Sequence, residues 1–318
     1  MKKLRIVIAL GGNAILSKEA SAQAQQETLR QTAKQLVRLV KAGHDIVITH
    51  GNGPQVGNLL LQQLAADSPA NPALPLDTLV AMTEGSISYW LQNALNNELQ
   101  RQGLTKEVAA IVTEVIVDPD DPAFSNPSKP IGPFLSEEEA RIQTQISGGH
   151  FREDSGRGWR KVVPSPKPLA IKEIQIIKTL IASGALVITA GGGGLPVIHD
   201  RETGDLIGAE AVIDKDLASQ VLAQDIQADL FIMLTGVDYV YIDFNKSSQQ
   251  KLTAVNTSEL REYIKQNQFA PGSMLPKIEA ALNFLDKLPQ AKVIITSLDK
   301  LAFIFEGAGT HIRSDSTD

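Results

Sequence analysis

The chain has 318 residues and 43% hydrophobic content, enough for one large domain or two ordinary ones around a real core. Its 30 Lys plus Arg against 36 Asp plus Glu leave a net charge of -6, which argues against a nucleic-acid partner. The absence of cysteine excludes disulfides, thiolate metal sites and a cysteine nucleophile, and fits a reducing compartment.

Lys2, Lys3 and Arg5 precede the apolar run Ile6-Val7-Ile8-Ala9-Leu10. That run is far too short for a signal segment or a membrane span, so the expectation is a cytoplasmic protein with no membrane association. Five apolar residues in a row read instead as a strand buried on both faces. Gly11-Gly12-Asn13-Ala14 breaks it, and Asn13 is placed either to cap the next helix or to aim its amide at a ligand. Strand, glycine turn and helix present backbone N–H groups to a phosphate. Leu29, Ala33, Leu36, Val37 and Val40 then mark one face of a helix over residues 22–42, with Gly43 as its stop.

Residues 45–50 form a second strand, ending in His50 and broken by Gly51-Asn52-Gly53-Pro54-Gln55-Val56-Gly57. Strand, helix, strand is a βαβ unit, so the sheet is expected to be parallel and doubly wound. Both glycine turns then lie at carboxyl ends of strands, where open α/β sheets bind ligands. The Gly51 turn is not the dinucleotide fingerprint: its spacing is one residue too long, Pro54 interrupts it, and no acidic residue follows at the expected distance. Pro54 suits a first helical turn and leaves the N–H groups of Gly51, Asn52 and Gly53 free for an anion. Gly53 reads as a position of positive φ where a side chain would fill the anion's space. His50, with no second histidine at ligand spacing, reads as a strand-end residue.

Residues 67–77 read as a loop. Residues 78–102 read as a helix with Met82, Ile87, Trp90, Leu91 and Leu95 inward, and 109–117 as one strand. The proline-rich stretch 118–168 is too long for a connection and reads as an insert or small subdomain. A helix over 171–182, a strand over 186–190 and a third glycine turn, Gly191 to Gly194, follow. A hairpin around Glu202-Thr203-Gly204-Asp205 comes next, and a lobe boundary is placed near it. Asp214-Lys215-Asp216 opens a helix. As surface charge it needs no explanation, but in a site the two carboxylates can hold and orient lysines. A strand over 230–234 runs into Thr235-Gly236-Val237-Asp238 and a strand-like 239–242. Lys277 opens a helix over 278–285, where a cation is disfavoured and a bound phosphate would remove the conflict. Residues 292–296 read as the closing strand.

There is no Gly-x-x-x-x-Gly-Lys-Ser/Thr, no His-Arg-Asp and no Asp-Phe-Gly, which excludes P-loop and protein-kinase chemistry. Phosphoryl transfer can still proceed by positioning and charge neutralisation, for which Lys129, Lys215 and Lys277 are the candidate cations.

At this point the residues resemble a family. The segments that carry the resemblance run in order along the chain: 9–14, 50–57, Ser128-Lys129-Pro130-Ile131-Gly132, 159–166, 191–194, 213–216 and 272–277. They are similar to carbamate kinase, within the amino-acid kinase superfamily, over about residues 6–312. The glycine turns are generic to the superfamily; the insert bearing Lys129 points to carbamate kinase. The resemblance implies an α/β fold, an αβα sandwich with a mainly parallel central sheet, in two lobes with a protruding subdomain over 118–168. The lobes would span 1–205 and 206–318. It implies a homodimer acting on carbamoyl phosphate or carbamate and on ADP or ATP with Mg²⁺, the metal being held mainly by nucleotide and water. Gly11, Gly12, Asn13, Gly51, Asn52 and Gly53 would bind the carbamoyl substrate. Thr235, Gly236, Val237, Asp238, Tyr239, Met274 and Lys277 would bind the nucleotide. Lys215 and Lys277 would neutralise the transferring group, Asp216 and more weakly Asp214 would orient them, and Lys129 would reach in from the insert. No lysine closely precedes the first glycine turn, unlike acetylglutamate kinase, which supports a different substrate. The alternatives are another amino-acid kinase, acting on glutamate or N-acetylglutamate, and an α/β nucleotide sensor without turnover.

Overall fold

The computed structural model describes residues 2–15, 19–147, 149–154 and 156–315. The first apolar run becomes β1 (Arg5–Leu10), followed by α1 (Ala22–Lys41), β2 (Asp45–His50), α2 (Gly53–Ala65) and α3 (Leu76–Arg101). Next come β3 (Val108–Ala110), β4 (Glu114–Val117), β5 (Lys129–Leu135), α4 (Glu137–Ser147), β6 (His150–Glu153), β7 (Trp159–Val163) and β8 (Pro168–Ile171). Then follow α5 (Ile174–Ala182), β9 (Leu186–Ile188), β10 (Leu195–His199), β11 (Leu206–Gly208), α6 (Lys215–Asp225), β12 (Leu230–Leu234) and β13 (Val240–Ile242). The chain ends with β14 (Gln250–Leu252), β15 (Ala254–Asn256), α7 (Thr257–Lys265), α8 (Met274–Lys287), β16 (Lys292–Thr296) and β17 (Thr310–Arg313).

An eight-stranded sheet runs in the order β15-β17-β16-β12-β1-β2-β9-β3. Its only antiparallel neighbours among the described residues are β16 and β17; β1 pairs in parallel with both β2 and β12. The seam β1–β12 joins the strands from the first part of the chain to those from the last. Alternate residues of the apolar strands feed two cores. Val7, Ala9, Val47, Phe231 and Met233 pack toward Leu222 of α6 and Phe284 of α8. Ile6, Ile8, Leu10, Ile46 and Ile48 pack toward Leu29 and Leu36 of α1 and Leu91 of α3. Helices thus cover both faces, the arrangement a parallel sheet requires.

The 118–168 stretch contributes β5, β6 and β7, an antiparallel three-stranded sheet, with α4 against it. No helix among the described residues is long and apolar enough to cross a membrane.

Several expectations are corrected. Asn13 lies within a single 3-10 turn (Gly12–Ala14), and the cap of α1 is Ser21, whose Oγ accepts from the Ala24 N–H at 3.2 Å. The side chain of Asn13 lies outside the described residues. The 109–117 strand is two strands in different sheets, because the chain turns at Ile111–Thr113, leaving Val112 53% exposed. Met82 faces outward at 44% exposure and Trp90 is half-buried; the inward face of α3 carries Thr83, Glu84 and Ser88 beside Ile87 and Leu91. Ile171 ends β8, and the helix placed over 171–182 begins at Ile174. The chain closes on β17, not on 292–296.

Candidate active site

Four chain segments leave the carboxyl ends of adjacent strands: Gly11–Gly12 after β1, Gly51–Gly53 after β2, Gly191–Gly194 after β9, and Thr235–Val237 after β12. Parallel strands point all four exits to one edge of the sheet, where ligands bind in such folds. A cleft of about 440 Å³ opens there. Gly12, Gly51, Asn52 and Gly53 line it from one side and Lys129 and Pro130 of β5 from another. Asp214 and Lys215, at the start of α6, and Gly272 and Pro276, at the start of α8, complete the walls.

The charged groups form two ion-paired sets joined by one hydrogen bond. Lys129 Nζ contacts Asp214 Oδ2, across from the insert to α6. Asp214 caps α6 by accepting the Asp216 N–H at 2.9 Å. Asp216 then accepts Lys215 Nζ at 2.6 Å on Oδ1 and Lys277 Nζ at 2.8 Å on Oδ2. Burial opposes the charge on Asp216, but the two ammoniums outweigh it and hold its carboxyl well below the usual carboxylate range. Burial likewise opposes the charge on Asp214, and Lys129 brings that carboxyl down. Burial pushes Lys215 below its ordinary value, whereas for Lys277 the Asp216 carboxylate overcomes burial and raises it. Lys277, in the first turn of α8, is thus matched by an ion pair as well as by any anion that binds. Lys129, Arg160, Lys215, Asp214 and Glu279 line the cleft, which is floored by backbone glycines, and Lys277 and Asp216 stand just behind its wall. The arrangement suits a phosphorylated ligand whose charge must be spread over several donors.

Beneath the cleft lies a second, buried layer that sequence reasoning missed. Glu84 Oε1 accepts the Gly191 N–H at 2.8 Å and Oε2 accepts the Thr113 N–H at 3.3 Å. Burial nonetheless pushes its carboxyl up to about 8. His50 bonds Ser88 Oγ at 3.1 Å and Gly51 O at 3.0 Å, and burial pushes its imidazole down to about 4. Asn52 Nδ2 donates to Thr83 Oγ1 at 3.0 Å, so its side chain faces inward and the backbone of the turn faces the cleft. Gly192 has φ +72°, and a Cβ there would overlap the Asn52 amide. The polar face of α3 therefore holds the second and third glycine turns in mutual register.

The other expected residues divide. Gly11 does not line the cleft; a Cβ on it would overlap Leu234 O, so it is glycine because β12 lies against it. Gly53 opens α2 with helical backbone, and a Cβ there meets only Pro130 O at 3.8 Å, so the expectation of positive φ is not met. A second cavity of about 440 Å³ is lined by Thr235, Gly236, Val237 and Met274. It also takes Tyr241, Phe244, Phe269 and Lys246, which sequence reasoning did not single out. Asp238 and Tyr239 do not line that cavity: Asp238 accepts Ser297 Oγ at 2.6 Å, and Lys251 lies 5.1 Å over the Tyr239 ring. Lys277 stands with Asp216 rather than in that cavity. Among the described residues no three His, Asp or Glu side chains are grouped to hold a metal ion.

Residues 4–297 match the amino acid kinase family. Carbamate kinase 1 of Enterococcus faecium is 58% identical over 297 residues, which is 93% of this chain and 94% of that protein. Carbamate kinase from Giardia lamblia bound to citric acid superposes with a TM-score of 0.92 at 40% identity, covering 98% of this chain and 99% of that one. The Giardia lamblia carbamate kinase bound to AMP-PNP gives 0.88 at 40% identity, again over 98% and 99%.

Proposed function

The chain belongs to the amino acid kinase family and, within it, to the carbamate kinases, and from that premise we propose that it transfers a phosphoryl group reversibly between carbamoyl phosphate and MgADP, giving ATP and carbamate. The observation that carries this reading is that Lys129, Asp214 and Lys215 line one cleft floored by glycine turns, while Asp216, just behind its wall, holds Lys215 and Lys277 side by side. A loose phosphoryl-transfer transition state spreads charge over the equatorial oxygens and needs donors in place beforehand. In this reading Lys215 and Lys277 meet that charge, Asp216 fixes both ammoniums, and Lys129 closes the cleft from the insert. The N–H groups of Gly12, Gly51, Asn52 and Gly53 take the carbamoyl substrate.

Residues 1–205 serve as the carbamoyl-binding lobe, with the protruding subdomain over 118–168, and residues 206–318 as the nucleotide lobe. The nucleotide takes the cavity at Thr235–Val237 and Met274, a placement supported by its continuity with the start of α8. Mg²⁺ enters as part of the nucleotide substrate. Asp214 and Asp216 are engaged by lysines, so the ion relies mainly on phosphate oxygens and water, with Glu279 the other carboxylate lining the cleft. The protein works as a cytoplasmic homodimer, which light scattering on the purified chain tests. The activity is tested by coupled ATP formation from ADP and carbamoyl phosphate, with acetyl phosphate as the control. ATP formed only with carbamoyl phosphate supports the assignment; no ATP, or equal rates with both donors, counts against it.

A further inference from the structure

α2 opens in the substrate turn at Gly53 and, one helical turn later, touches the insert. Gly57 is buried there against β5, and a Cβ on it would overlap the backbone N and Cα of Gly132 and lie 2.8 Å from Ile131 C. Helix and strand therefore meet backbone to backbone, a separation only glycine allows. The strand is shaped for this meeting. Gly132 has φ +74°, and the β5–β7 register breaks between Ile131 and Leu135. The freed Gly132 carbonyl accepts Arg160 Nε at 3.0 Å. Arg160 is in turn fixed by Asp154 at 3.2 Å and by the Phe134 ring at 5.1 Å. Leu60, Ile131, Pro133 and Phe151 line a crevice of about 20 Å³ beside the contact, too small and too apolar to be a ligand site.

Lys129 is three residues from Gly132 on the same strand, and Pro130 O faces Gly53. We propose that Gly57 is a positioning residue for Lys129: the Gly57–Gly132 contact is the joint that sets how closely the three-stranded sheet leans over the cleft. The proposal rests on the reading of Lys129 as a catalytic cation. A methyl group at Gly57 must push β5 away from α2. The strand carries that shift to Lys129 and parts it from Asp214. The substrate turn and the insert are thus tied to one rigid helix, four residues apart.

The test is a double-mutant cycle on the full chain with Gly57→Ala and Lys129→Ala, read by the coupled assay and by thermal melting. A misplacement of about 1 Å can cost up to ~10²-fold in rate, so Gly57→Ala should lower kcat at least ~tenfold with the ADP KM unchanged. In the Lys129→Ala background it should lower kcat less than ~twofold further, because the group it positions is gone. A purely structural role for Gly57 would give the same loss in both backgrounds and would overturn the proposal, as would wild-type kcat in Gly57→Ala. If Gly57→Ala does not fold, Leu60→Ala loosens the same joint by removing a half-buried side chain from its crevice. It should show the same non-additivity with Lys129→Ala, and independent losses or a wild-type rate there would likewise overturn the joint. Wild-type turnover in Lys129→Ala alone would remove the catalytic reading of Lys129 and the joint with it. Loss in Lys129→Ala without loss in the joint variants would remove only the joint.

Discussion

Lys277 occupies the first turn of α8, where the helix dipole disfavours a cation, and it stays charged because Asp216 faces it at 2.8 Å. Lys215 shares that carboxylate, so the two ammoniums stand on either side of one buried anion. Removing either leaves the transferring group one donor short. Lys215→Ala and Lys277→Ala should each cut kcat by ~10²-fold or more, the order seen when one preorganised donor is lost. Steady-state kinetics in both substrates checks this, and near-wild-type kcat in both variants would dissolve the clamp. The glycines behave differently from one another. Gly192→Ala must strain a left-handed backbone and displace the Asn52 amide, so calorimetry should find carbamoyl phosphate affinity reduced. Gly53→Ala makes only an ordinary contact, at 3.8 Å to Pro130 O, and should bind nearly as the parent does. The lysines were legible in the sequence because each is a local oddity: a cation at a helix start, or a cation in a proline-rich insert. The third glycine turn was legible as a turn, but the Asn52 contact that fixes Gly192 and the role of Glu84 were not, because Gly192 and Asn52, and Gly191 and Glu84, lie more than a hundred positions apart.

At the scale of elements, the strands β1, β2, β9 and β12 were legible because burial on both faces leaves each an unbroken apolar run of at least three residues, with polar residues only toward the ends. The break between β3 and β4 was not legible. Thr113 turns the chain there because its Oγ1 accepts from the Ala190 N–H at 2.9 Å and meets Thr189 Oγ1 at 2.8 Å, both tertiary partners. The face of α3 was misread for a related reason: apolar periodicity ranks Met82 above Glu84, while the buried surface it meets is a glycine turn with free N–H groups. The insert was visible by composition alone, but its attachment was not. Ile131 and Val163 pack with Val56, Leu79 and Val80, so the three-stranded sheet seals an apolar cluster as well as carrying Lys129. Deleting it would therefore expose core. Lys129→Ala is the cleaner probe: it should lower carbamoyl phosphate turnover by ~10²-fold while leaving the melting temperature within a few degrees of the parent. Proteolysis within 118–168 should slow when both substrates are present, and an unchanged digestion rate would count against closure of the insert over the cleft.

At the scale of the whole molecule, the sheet separates two kinds of buried ionisable group. Those at the cleft are paired, and those beneath it are kept neutral. Asp214 and Asp216, depressed by their lysines, contribute stability that is present above the ordinary carboxylate range and is lost only as pH falls through their lowered values. His50, pushed down to about 4, contributes stability that is present above its unfolded value near 6.5 and is lost as pH falls toward 4. Glu84 has the opposite sign. Its folded value is raised to about 8, so the folded state holds a proton that the unfolded state has released. Its contribution is therefore full in acid and is lost as pH rises from about 4.5 to about 8. Between pH 5 and 6.5 the His50 and Glu84 slopes largely cancel. From pH 7 to 8 Glu84 dominates this pair, and one retained proton is worth about 1 kcal/mol over that unit, or about 2 °C in melting temperature for a chain of this size. Glu173 faces Glu84 with like charge and adds to burial in keeping the proton on Glu84, while Lys215 adds to burial in keeping His50 neutral. Glu84→Gln keeps the shape of the side chain and removes the titration. The parent should lose melting temperature between pH 7 and 8 and level off above, while Glu84→Gln should stay flat over the same interval. Parallel curves for the two proteins would show that Glu84 is already ionised at neutral pH, and would assign the Gly191 turn to a charged carboxylate instead of a neutral one.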